Sequence, residues 1–125
     1  MKFLKIALAS LSITLPLQAL AFSDGNALLT ALNSQNRPLE AMALAYITGL
    51  SDGLLLGHAM GSTYRNGIRI PNSKPRYPYC VPEQMTNKQA NDVVHKYLQD
   101  TPSDRHMPNS SLVLSAMEKA FPCDR

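Results

Sequence analysis

The chain has 125 residues and a mass of 13.7 kDa, with twelve Lys and Arg against nine Asp and Glu and a formal charge of +3. That length holds one domain, which excludes a multidomain enzyme and a two-half dinucleotide-binding fold. The modest charge excludes a nucleic-acid binder driven by phosphate contacts.

The start reads as an export signal. Met1-Lys2-Phe3-Leu4-Lys5 is short and positive, Ile6 to Leu20 is apolar around Pro16, and Ala19-Leu20-Ala21 is a small-x-small cleavage site. Residues 1–21 are expected to be a signal peptide cleaved after Ala21, and residues 22–125 a single mature domain. Loss of Lys2 and Lys5 takes the +3 down by two, to +1, so the basic precursor is no argument for an anionic partner. With no lipobox cysteine or anchor, the expected location is the bacterial periplasm, a eukaryotic secretory route being the alternative.

Four helices are predicted in the mature part. Ser23-Asp24 can cap the first, whose apolar face is Ala27, Leu28, Ala31 and Leu32. The second runs from about Pro38, well placed in a first turn, to Gly61, and only Glu40, Asp52 and His58 along it are ionisable. Between Ser62 and Pro82 the prolines Pro71, Pro75, Pro78 and Pro82 forbid a helix, and Ile68-Arg69-Ile70 is a candidate short strand. Thr86-x-x-Gln89 reads as a capping box for a third helix with Ala90, Val93, Val94, Tyr97 and Leu98 on one face, stopped by Pro102. Asn109 or Ser110 can cap a fourth, with Leu112, Val113, Met117, Ala120 and Phe121 as its stripe. The predicted fold is all-α: a small bundle of four, or four to five, helices with one long Pro-rich loop.

Cys80 and Cys123 are the two cysteines, and in an oxidising compartment they are most simply one disulfide. Such a bridge closes a loop of about 44 residues and is worth about 4 kcal/mol by chain entropy. Two free thiols are the alternative; a metal site lacks ligands at the right spacing.

The second helix also carries Gly49, Gly53, Gly57 and Gly61, each four residues from the next. A helix-interior glycine is up to about 1 kcal/mol worse than alanine, so the row calls for an offset. Close approach by another helix supplies one, within the bundle or across a dimer. A buried, tightly packed helix is therefore expected here. A transmembrane helix is disfavoured by Asp52 at its centre, and a break near Ser51-Asp52-Gly53 is a further alternative.

No catalytic constellation emerges. His58, His95 and His106 form no metalloprotease or nucleophile–base pattern, and the carboxylates lie on separate elements. No enzymatic activity and no cofactor are expected. What stands out is the loop, with Arg65, Arg69, Lys74 and Arg76, no acidic residue, and Tyr64, Tyr77 and Tyr79. Arg and Tyr are the residue types that anchor protein interfaces. Arg65, Arg69, Arg76, Tyr77 and Tyr79 are the candidate contacts, against the plainer reading of a solvated connector.

Six features in order carry a resemblance. They are the exported start, Tyr46-Ile47-x-Gly49-x-x-Asp52-Gly53, Tyr79-Cys80-Val81-Pro82, Val93-Val94-x-x-Tyr97-Leu98, Pro102, and Ala120-Phe121-Pro122-Cys123. Together they resemble the Rap/Tai periplasmic immunity proteins, over roughly Ala41 to Cys123. The resemblance implies a small helical, disulfide-bonded protein, often a homodimer. It would bind a type VI secretion peptidoglycan amidase effector and block its active-site cleft. It carries Cys80 and Cys123 over as the family's disulfide and carries over no effector-contact residue. A periplasmic chaperone or stress protein without a toxin partner is the alternative.

Overall fold

The computed structural model describes residues 22–123; the expected signal peptide, residues 1–21, lies outside the described residues. In chain order the elements are α1 (Gly25–Leu32), α2 (Arg37–Thr63), β1 (Tyr64–Arg65), β2 (Ile68–Arg69), α3 (Asn87–Asp100), a 3₁₀ turn at Pro102–Asp104, and α4 (Asn109–Ala120). The fold is the expected helical bundle, with a small hairpin inserted after α2.

Local chemistry sets most helix boundaries. Asp24 caps α1, its carboxylate accepting from the Ala27 N–H at 2.9 Å. Asn36 caps α2, which starts at Arg37, one residue before the expected start, and Pro38 sits in the first turn, where a missing N–H has no consequence. Thr86 caps α3 through the Gln89 N–H at 3.2 Å. The expected cap of α4 is corrected: Pro108 holds that position without a side-chain bond, and Asn109 is already helical. The Asn109 amide instead donates to the Phe22 carbonyl at 2.7 Å, tying the start of the domain to α4. Phe22 then meets Tyr46 edge to face, with ring centroids 5.4 Å apart.

The core lies where the four helices converge. Leu28 from α1, Ile47 from α2, Val94 and Leu98 from α3, and Leu112, Val113 and Met117 from α4 are fully buried there. Gly25 makes the α1 corner possible. A Cβ at that position would stand 2.6 Å from Leu112 Cδ1 and 3.1 Å from the Arg105 Cα. The Gly25 N–H donates to the Arg105 carbonyl at 2.8 Å, and the Arg105 guanidinium donates to the Leu98 and Gln99 carbonyls at the end of α3.

Cys80 and Cys123 are bonded as a disulfide, with their Cα atoms 4.9 Å apart. Beside it the Cys80 N–H donates to the Phe121 carbonyl at 2.9 Å. The end of the Pro-rich loop is thus pinned to the segment after α4.

The expectation for α2 is corrected. The helix is continuous across Ser51-Asp52-Gly53, so it is not broken there. It is long and apolar enough by length and composition to cross a membrane, with a mean hydropathy of 1.3 over its best window, yet only 17% of that window is buried in the domain. Ala43, Ile47, Ser51 and Thr63 are its buried positions. Gly49, Gly53, Gly57 and Gly61 are all exposed, and a Cβ added at any of them would meet nothing within 4 Å. Among the described residues no helix packs on the row. The apolar composition comes from an uncovered face, not from burial on all sides.

Candidate partner-binding site

The Pro-rich loop is built on a hairpin. Tyr64 pairs with Arg69 and Arg65 with Ile68, around Asn66 and Gly67 with φ of 52° and 77°. Two successive positive-φ residues make a type I′ connection, whose twist matches that of paired strands. Asn-Gly is the strongest sequence signal for that turn, so this was the cue to find both strands; Ile68-Arg69-Ile70 alone shows only the second.

Cross-strand partners share a face of a ribbon. Arg69 therefore stands beside Tyr64 on one face, and Arg65 beside Ile68 on the other. Arg65, Arg69, Lys74 and Arg76 are all exposed. None has an ion-pair partner among the described residues, where the salt bridges are Arg37–Glu40, Lys88–Asp92 and Lys96–Asp100. Tyr77 is 51% exposed and Ile68 73% exposed, so apolar surface lies among the cations.

The loop is held back against α2 by its own polar groups. The Ile70 N–H donates to the Thr63 carbonyl at 2.8 Å, and the Ser73 hydroxyl donates to the Ile70 carbonyl at 2.7 Å. The Arg76 N–H donates to the Ser62 hydroxyl at 2.8 Å. With the disulfide at its far end, the loop is anchored at both ends.

Tyr79 departs from the expectation of a surface contact. It is 1% exposed, part of the core, and its hydroxyl donates to the Ser51 carbonyl at 2.9 Å. Burial raises its pKa above the ordinary 10.0, the nearby Asp52 carboxylate adds to that, and the Ser51 side chain acts in the opposite sense. The structure thus divides the five candidates: Arg65, Arg69, Arg76 and Tyr77 face solvent, while Tyr79 braces the loop from inside. An irregular, Pro-rich segment gives no periodicity from which to read the burial of Tyr79.

Two of the three histidines go to separate structural partners, and His58 is exposed on α2. His95 Nε2 lies 2.8 Å from Asn33 Oδ1, and His106 Nδ1 lies 2.9 Å from the Ser103 carbonyl. Asp92 pairs with Lys88 at 2.6 Å, not with His95. Among the described residues no group of three or more His, Cys, Asp or Glu gathers to hold a metal ion.

No curated protein and no solved structure matches the chain in comparisons with known proteins. A family model does, and its match covers α1 through the disulfide at Cys123. The disulfide-stapled helical domain and the match over residues 24–123 together show that the chain belongs to the Rap1a immunity proteins, which makes it an immunity protein with a cognate effector.

Proposed function

We propose that the protein is the periplasmic immunity partner of a type VI secretion peptidoglycan amidase, and that it protects by filling that enzyme's active-site cleft. The observation that carries this is the loop from Tyr64 to Pro78: exposed, cationic, unpaired, and anchored at both ends. A loop ordered before binding loses little conformational entropy on docking. Arg65, Arg69 and Arg76 offer forked donors to carboxylates on the rim of a cleft, and Tyr77 offers apolar area. The protein acts by occupancy and carries out no reaction of its own.

Co-expression of the exported protein with the amidase encoded beside it tests this: the cells survive, and lysis despite good periplasmic expression rejects the reading. Replacing Arg65, Arg69 and Arg76 together with Ala should weaken the complex by about 2 kcal/mol or more, about thirtyfold. Unchanged affinity removes the loop as the contact.

We also propose that α2 pairs with its counterpart in a second copy. Met42, Gly49, Gly53, Leu56 and Met60 fall within about 60° of one another around the helix, on the side away from Ala43 and Ile47. All five are exposed, Leu56 by 62%. The glycines permit close backbone approach and the larger residues flank it. Gly53→Leu should convert a dimer to a monomer of unchanged stability, read by light scattering; the same mass for both forms rejects the pairing.

A further inference from the structure

At the end of the Pro-rich loop a recess of about 250 Å³ opens beside α2. Leu55 lines it from α2, and Tyr77, Tyr79, Cys80 and Val81 line it from the loop. No charged residue takes part, so an apolar hole lies within a surface otherwise marked by its cations. An apolar cavity of about 150 Å³ is enough to hold benzene. This recess has room for one aromatic side chain.

Its walls are set before anything binds. Tyr79 is buried, with its hydroxyl held on the Ser51 carbonyl at 2.9 Å. Cys80 is held by the disulfide and by donation of its N–H to the Phe121 carbonyl at 2.9 Å. Leu55 and Val81 are half-buried, and only Tyr77 stands mostly in solvent. A site formed in advance loses little ordering entropy on binding, and a large side chain in such a pocket is where interface energy concentrates. Two tyrosines and the bridged Cys80 in the wall favour an aromatic occupant over an aliphatic one, through ring–ring and sulfur–ring contacts. The surrounding charges say what should flank that ring. Arg76, directly before Tyr77, is exposed and has no ion-pair partner among the described residues. Asp52 and Glu83 line an adjoining cavity that shares Leu55, Tyr79 and Val81 with the recess. A carboxylate beside the entering ring is therefore attracted on the loop side and repelled on the other, which fixes the orientation of the partner.

We infer that the recess is the anchor point of the partner-binding surface: it takes one aromatic side chain from an effector segment in which an acidic residue stands next to that side chain. The inference deepens the immunity reading and rests on it. An apolar side chain of a second copy is the competing occupant.

The test is a titration of the purified protein with three acetylated, amidated dipeptides, Asp-Phe, Lys-Phe and Asp-Ala, followed by backbone amide chemical shifts. Saturable shifts at Leu55, Cys80 and Val81 are expected with Asp-Phe. Lys-Phe should bind about two- to fivefold more weakly, and Asp-Ala should give no saturable shifts. Val81→Phe fills the recess from the loop and Leu55→Phe fills it from α2, so that one remains if the other does not fold. A filled variant should lose the Asp-Phe shifts and bind the amidase encoded beside it on the order of tenfold more weakly. No saturable shifts with Asp-Phe, shifts of the same size with Asp-Ala, or binding of Lys-Phe as tight as that of Asp-Phe overturns the site. A filled variant whose mass in solution drops relative to the wild type assigns the recess to a second copy and overturns it as well. Amidase that fails to bind the wild type overturns the immunity reading, whereas amidase that binds the wild type and the filled variants equally overturns the anchor alone.

Discussion

The two faces of α2 have nearly the same composition and opposite surroundings. One carries Ala43, Ile47 and Ser51 into the core, where the Tyr79 hydroxyl reaches the Ser51 carbonyl. The other carries Met42, Gly49, Gly53, Leu56 and Met60 and is bare. A helix poor in charge is therefore no evidence that every side of it is covered. The glycines repeat the lesson. Of the helical glycines, the one whose missing side chain the packing requires is Gly25, at the start of α1, and the four-residue row has open space above it.

That comparison can be broken most directly by truncating one residue on each face. Ile47→Ala should destabilise by about 2–5 kcal/mol, from lost transfer free energy and a residual cavity. Leu56→Ala should change the stability of the isolated chain by about 0.5 kcal/mol or less, as an exposed substitution does. Denaturant unfolding measures both. Comparable losses would mean that the bare face is covered, and concentration dependence of the Leu56 effect would identify a second copy as the cover.

A smaller contrast separates the two kinds of glycine. Gly25→Ala should destabilise by about 1–3 kcal/mol, because the new methyl meets Leu112 and the Arg105 backbone. Gly49→Ala should stabilise by up to about 1 kcal/mol, the helix-propensity gain with no steric penalty. Thermal unfolding of the two variants gives the signs. A loss at Gly49 in dilute, monomeric protein would contradict the open space seen there.

The smallest effect sharpens the core side of the comparison. Tyr79→Phe removes the hydrogen bond to Ser51 and should lower stability by about 1 kcal/mol at neutral pH. The folded-state pKa of Tyr79 is raised above the unfolded value of 10.0. The folded protein therefore keeps a proton that the unfolded chain loses, and the associated stability is fully present below pH 10. It is lost as the pH rises through the folded-state value. The wild type should accordingly weaken above pH 10 by more than Tyr79→Phe does, as measured by denaturant midpoints across that range. Parallel curves would mean that Tyr79 ionises in the folded protein as it does in water.

The candidate site was partly legible in the sequence. Arg65, Arg69, Arg76 and Tyr77 are on the surface as their polarity and setting suggest, whereas the hairpin beneath two of them was missed, although Asn66-Gly67 carries the signal for it. Tyr79 was not legible as a core residue. Its burial depends on Cys80 being drawn to Cys123 and on the Ser51 carbonyl being offered from a helix 28 residues away.

What the sequence by itself determined is local. Asp24 and Thr86 start helices because their oxygens reach an N–H three residues on, and the prolines end regular structure because they lack one. The pairing of the two cysteines, Cys80 with Cys123, was also expected without coordinates. Tertiary structure alone decided which side of α2 faces inward, which glycine is packed, and that Asn109 binds Phe22 instead of capping its helix. Each depends on what another segment places opposite, and a single chain position holds no record of its distant neighbour.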